Sequence, residues 1–272
     1  MRALPLVFLF ACTPAAEDDE PDVDSPPPTS VERRVLHEMF SGSNCGPCLE
    51  ADQRVIDIQD ARTGQYTHVA YQVGSDPYMS AESVGRRMYY LPGESSYDIP
   101  FLHADGVNGL HPNLTNDGEG YLEDDFDGFA ELSSPLEITV THTLSGQTVE
   151  AEIQIDLLEA VASENLVLHA AIVEAVTYNN VGTNGQTEFH DVMKKMMPDD
   201  EGTPIDVLTV GETAEFSLKW RFRGDYVSGT GPSNMVDHDA EHTVEAFEAL
   251  YVVAWVQDIE TWEVFQSARS DL

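Results

Sequence analysis

Around Ser133-Ser134-Pro135 the spacing of apolar residues changes, and that change restricts the chain to an architecture with two kinds of layer. Downstream the period is two. In "LEITVTHTLSGQTVEAEIQIDLLE", Ile138 and Val140, then Val149, Ala151, Ile153 and Ile155, fall on one face either side of a Ser145-Gly146 turn, the pattern of a hairpin. "NLVLHAAIVEAV", "AEFSLKWRF", "LYVVAWVQD" and "TWEVFQSA" supply further strands. Residues 135–272 are therefore expected to form a mainly antiparallel β-sandwich. Upstream, strands and helices alternate. "RRVLHEMF" is an expected strand, and Cys48, Ala51, Val55 and Ile58 recur at helical spacing on a helix beginning near Cys45. "YTHVAYQV" is the next strand, and Val84, Met88 and Leu91 mark a helix from about Ser80. "DIPFLHADGVNGL" follows as a strand, a turn at Asp105-Gly106 and a partner strand, and Leu122, Phe126 and Phe129 mark a closing helix. This order over residues 31–134 defines an α/β layer fold.

The chain has 272 residues, 42% of them hydrophobic, enough for one large domain or two modest ones. Its 13 basic and 49 acidic residues give a formal charge of −36, a field that repels phosphate backbones and argues against nucleic acid as a partner. At the N-terminus an apolar run from Leu4 to Ala11 precedes Cys12. The run is too short to span a bilayer and suits a secretory signal, here residues 1–11. "LFAC" resembles the bacterial lipoprotein signal, which implies that Cys12 carries lipid; the plainer reading is an ordinary signal with an incidental Cys. Residues 12–30, rich in Asp, Glu, Pro and Ser, are expected to be a disordered tether. Membrane attachment would then be through the lipid alone.

The pair Cys45 and Cys48, separated by Gly46 and Pro47, is where chemistry is expected. Three readings compete. Zinc needs three or four ligands, and the chain has no second Cys pair, so no metal site is expected. A structural disulfide would close a very small loop and remove little entropy from the unfolded chain. Redox exchange fits the placement better. A strand, a short loop and then a helix put Cys45 where free N–H groups and the helix dipole favour thiolate. Cys48, one turn in, would be shielded and placed to attack a mixed disulfide on Cys45.

Cys45-Gly46-Pro47-Cys48 is the motif of thioredoxin, and the surrounding element order resembles the thioredoxin fold. The resemblance implies a cis-proline facing the cysteines. "DIPFLHADG" is similar to that segment, with Ile99-Pro100 as the candidate cis bond and substrate-backbone contact. Thioredoxins also carry a buried Asp on the preceding strand; the matching position here is Met39, and alternation directs the adjacent Glu38 to the opposite face. Across residues 31–270, "VLHEMFSGSNCGPC", "LHAAIVEAV", "FHDVMKKMMPDDEGTPIDVLTVGETAEFSLKW" and "YVVAWVQDIETWEVFQSA" resemble the twenty-eight-kilodalton outer-membrane protein (Omp) family. That resemblance implies a bacterial outer-membrane lipoprotein, on its periplasmic or surface face, pairing a thioredoxin-like α/β domain with a C-terminal β domain. The functional expectation is a thiol–disulfide oxidoreductase acting on protein thiols or disulfides, with no cofactor beyond its own Cys45–Cys48 disulfide. The alternative is a non-catalytic adhesion or assembly protein that uses the domain as a scaffold.

Three other stretches carry weaker expectations. "MVDHDAEHTVE" spaces His238 and His242 as a helical metal pair would, although a solvated acidic loop explains it more simply. "HDVMKKMMP" is expected to be a sandwich-edge turn, or a docking patch around Lys194 and Lys195. "LTNDGEGYLEDDFD" has the Asp and Gly content of a calcium loop without its ligand pattern.

Overall fold

Alternating apolar residues produce the strands, and the two faces of each strand decide what packs where. The computed structural model describes residues 29–106, 108–110, 112, 120–229 and 235–272. In chain order the first elements are β1 (Val31–Glu32), β2 (Val35–Ser41), α1 (Cys48–Asp60), β3 (Tyr66–Gln72), α2 (Ala81–Tyr89), β4 (Phe101–Ala104), β5 (Asn108–Leu110), α3 (Glu123–Ala130) and β6 (Ser133–Ser134). Strands then dominate: β7 (Leu136–Ser145), β8 (Thr148–Leu157), β9 (Leu166–Thr177), β10 (Phe189–Met197), β11 (Thr203–Pro204), β12 (Thr213–Arg221), β13 (Leu250–Asp258) and β14 (Val264–Arg269).

Two sheets matter for the site. The larger runs β14-β13-β9-β10-β3-β2-β4-β5, with β11 added to β9. Strands from both sides of Pro135 therefore share one sheet, joined where β10 meets β3 in parallel at Val192 and Ala70. The smaller, β12-β8-β7, is antiparallel throughout. Its inward residues Ile138, Val140, Val149, Ala151, Ile153 and Ile155 pack on Leu168, Ala170, Ile172, Val252 and Ala254 of the larger sheet, making a β-sandwich. The fold is thus mostly β with few helices.

Strand β2 is buried along its whole length and serves both faces. Val35 and Met39 point to α1 and α3, packing with Ala51, Val55, Ile58 and Phe126. Leu36 and Phe40 point the other way, to Tyr71, Val73, Tyr90 and Trp255. The parity places Glu38 on this second face, where α2 covers it.

Helix α2 departs from its apolar pattern. Its most buried residues are Ser83, Arg86 and Arg87: Arg86 neutralises Glu38, Arg87 lies over the Phe101 ring, and the Ser83 hydroxyl donates to the Gln72 carbonyl. Strand β10 departs too. "HDVMKKMM" is neither an edge turn nor a surface patch but a central strand between β9 and β3. Lys194 and Lys195 are both buried, and each finds a carboxylate: Lys194 Nζ lies 3.0 Å from Glu174 Oε2, and Lys195 pairs with Glu82. Burial pushes the Lys194 ammonium pKa down, and Glu174 opposes the shift.

Candidate functional site

Strand β2 ends at Ser41, and the chain turns sharply through Gly42 toward Cys45. A β-carbon at Gly42 would lie 2.3 Å from the Val73 carbonyl oxygen, so only glycine lets the turn pass the end of β3. The Cys45 N–H donates to the Gly42 carbonyl at 3.0 Å, and the Cys48 N–H donates to the Cys45 carbonyl at 3.2 Å. Helix α1 begins at Cys48 rather than near Cys45, because Gly46 and Pro47 form a turn with Pro47 as N-cap.

Cys45 and Cys48 are joined as a disulfide. The two sulfurs sit in different surroundings. Cys48 is 0% exposed, whereas Cys45 is half-buried at the loop. Cys45 Sγ lies 3.8 Å from the Ile99 carbonyl oxygen, and the Ile99-Pro100 peptide bond is cis. The structure thus brings Cys45, Cys48, Ile99 and Pro100 together, although 51 residues separate Cys48 from Ile99 in the sequence. Arg87 supports the Ile99 side of this arrangement. Its guanidinium lies 4.2 Å from the centre of the Phe101 ring and donates to the Asp98 carbonyl at 3.4 Å.

A second clamp comes from the β9–β10 connection, whose position here has no local signal in the sequence. The Asn184 N–H donates to the Ser43 carbonyl at 2.9 Å, and Asn184 Nδ2 donates to the Cys45 carbonyl at 3.1 Å. The Thr183 N–H donates to Asn44 Oδ1 at 3.2 Å, and Gln186 Nε2 donates to Asp52 Oδ2 at 3.0 Å. Gly182 approaches so closely that a β-carbon there would lie 2.5 Å from the Ser43 carbonyl oxygen. "NNVGTNGQT" marks a loop by composition, but no local signal says which surface the loop covers.

Asp76 anchors the cysteine loop from the other side, accepting from the Ser43 and Tyr78 N–H groups at 2.8 Å each. Burial raises its pKa, and these hydrogen bonds pull it back. Glu38 lies on the far face of β2, wholly buried. Burial alone would raise its carboxyl pKa, but Arg86 and the Tyr90 hydroxyl together hold it below the usual value. Asp52, on the same side of α1 as Cys48, has its carboxyl pushed up to about 6, chiefly by burial.

Cys12 and the expected signal and tether up to residue 28 lie outside the described residues, as does most of "LTNDGEG". Among the described residues, no group of three His, Cys, Asp or Glu side chains is placed to hold a metal ion. His238 sits in a turn and His242 in an isolated bridge, so they share no helix. No described helix is long and apolar enough to cross a membrane.

No known family profile matches the chain, and no curated protein matches it. Solved structures do resemble it. HBP35 of Porphyromonas gingivalis superposes with a TM-score of 0.64 at 12% identity, over 90% of this chain and 77% of that one. Protein AGR_C_4864 from Agrobacterium tumefaciens gives 0.54 at 13% identity, over 88% of this chain and 94% of that one. A domain of the outer membrane lipoprotein Omp28 from Porphyromonas gingivalis covers 51% of this chain and 88% of its own at 12% identity, with a TM-score of 0.32, too low to define a shared fold. At such identities the first two likenesses are of fold alone.

Proposed function

We propose that the protein is a thiol–disulfide oxidoreductase of thioredoxin type, with residues 31–134 forming a thioredoxin-like α/β region. The observation that carries this reading is the asymmetry of the cysteine pair beside a cis-proline: a half-buried Cys45 against the Ile99 carbonyl, and a Cys48 closed to solvent. In the reduced state Cys45 thiolate attacks one sulfur of a substrate disulfide, forming a mixed disulfide and releasing the other substrate sulfur as thiolate. Cys48, deprotonated, then attacks Cys45 Sγ. The mixed disulfide breaks, the second substrate sulfur leaves with the electron pair, and the Cys45–Cys48 disulfide remains. Two electrons pass from protein to substrate, and the reverse sequence oxidises a substrate dithiol. Pro100, with no N–H to donate, and Ile99 beside it would lie along an extended substrate backbone. No cofactor beyond the disulfide takes part, and the partners are protein thiols or disulfides.

Lipidation at Cys12, and with it a place in a bacterial cell envelope as an outer-membrane lipoprotein, belongs to the same proposal. It is supported by the apolar run before Cys12 and the acidic, Pro-rich stretch after it. One observation favours the scaffold reading instead: the cysteine loop is held from both sides, by Asp76 and by Asn184. A dithiothreitol-driven assay on a peptide with a single disulfide separates the two. The oxidoreductase reading expects a rate of reduction proportional to protein concentration; an inert disulfide and no turnover would support the scaffold and end the proposal.

A further inference from the structure

The buried half of the cysteine pair raises a question of proton transfer, because Cys48, closed to solvent, must lose a proton before it can attack Cys45. The carboxylate one helical turn further on is Asp52. On a helix, positions four apart share a face with β-carbons about 6 Å apart, and a side chain leans toward the turn before it. Asp52 therefore leans over the turn that carries Cys48. Its Oδ2 accepts from Gln186 Nε2 at 3.0 Å, while Oδ1 is shut off from solvent and has no well-formed hydrogen bond. The Ser41 hydroxyl beside it is shielded in the same way. A shielded acceptor with a free lone pair, on the helix face of a shielded thiol, is placed to exchange a proton with it.

We infer that Asp52 is the general base for Cys48, taking its proton in the resolving step and returning it when the disulfide is reduced. The assignment rests on the oxidoreductase reading above. The groups around Asp52 set its working range. Burial raises its pKa and Asp76 adds to the rise, while Ser41 on β2, Gln186 on the β9–β10 connection and His68 on β3 oppose it. The net position, about 6, leaves the group ionised at neutral pH yet close enough to pass a proton in either direction. The proton leaves Cys48 Sγ for Asp52 as the new S–S bond forms. It passes on to solvent or to the departing substrate thiolate, so charge and atoms balance.

The test mixes reduced full-length protein with one equivalent of dithiobis(nitrobenzoate), which releases one coloured thiolate when Cys45 attacks and a second when Cys48 resolves. In the wild type the second phase should rise with pH through an inflection near 6. Asp52→Asn, which can still accept from Gln186, should lower the ratio of second-phase to first-phase rate about tenfold or more near pH 7 and remove the inflection. Gln186→Leu keeps the carboxylate but loses a hydrogen bond that favours its charged form, so the inflection should move to higher pH. An Asp52→Asn protein that keeps both the ratio and the inflection overturns the assignment alone. A wild type with no first phase overturns the oxidoreductase reading beneath it.

Discussion

Arg86→Met is expected to destabilise the fold by about 3–5 kcal/mol, the usual cost of leaving one member of a buried ion pair without the other. Arg86 is 0% exposed, and its Nε and Nη2 donate to Glu38 at 2.6 and 2.8 Å. Nη2 also donates to Gln257 Oε1 at 2.7 Å, and the guanidinium lies 4.7 Å from the Tyr89 ring centre. Methionine fills much of the volume but supplies no charge, so the Glu38 carboxylate is stranded among Tyr71, Tyr90 and the apolar face of the sheet. Glu38→Met should cost a similar amount by stranding Arg86. The double variant should cost clearly less than the sum, because both charges leave together. The pH dependence distinguishes this from simple loss of packing. With Arg86 present the folded Glu38 pKa lies below its ordinary value, so the pair's contribution is complete above that value and fades as pH falls through the folded pKa. Without Arg86, burial raises the folded pKa, and the variant is weakest where the carboxyl must ionise. The cost of Arg86→Met should therefore be larger near pH 7 than near pH 4. Denaturant midpoints at the two pH values measure it; additive single effects with no pH dependence would contradict the ion-pair account.

The second large effect is chemical. Cys45→Ser should reduce disulfide turnover by about a thousandfold or more, since the attacking sulfur is gone and Cys48 is closed to solvent. Cys48→Ser should behave differently: the first attack proceeds, no resolving thiol follows, and substrate accumulates as a mixed disulfide with Cys45. Mass spectrometry of the two variants after exposure to a peptide disulfide reads the difference directly. Equal loss in both, with no trapped adduct in either, would contradict the division of labour between the two sulfurs.

Much of the architecture was legible because periodicity survives burial. Cys48, Ala51, Val55 and Ile58 make the buried face of α1, and Ile138 to Ile155 make an inward hairpin face. The strand–turn–strand around Asp105-Gly106 also stands as β4 and β5. The failures share a cause, which is charge buried against a partner distant in sequence. Nothing local marks "HDVMKKMM" as a central strand, because Glu174 and Glu82 neutralise its lysines from elsewhere. Nothing in α2 suggests that arginines form its inner face, since the partner of Arg86 is Glu38, 48 residues earlier, and Arg87 lies over the Phe101 ring. At the site, the motif located the two sulfurs, but the clamp of Asn184 and Gln186 arrives from beyond residue 178. Nothing local marks Asp52 either, because its partner Gln186 lies 134 residues further along the chain.

What every step requires is a Cys45 sulfur that ionises near neutral pH, and the ultraviolet absorbance of its thiolate, titrated in the reduced Cys48→Ser protein, measures that directly. The turn before α1 sets Cys45 at the N-terminal end of the helix, whose dipole favours thiolate, while Glu50 in the first turn opposes it. The expected midpoint lies below the value of about 8.5 for a free thiol. A midpoint at or above that value would leave too little thiolate for exchange and would contradict the proposed chemistry.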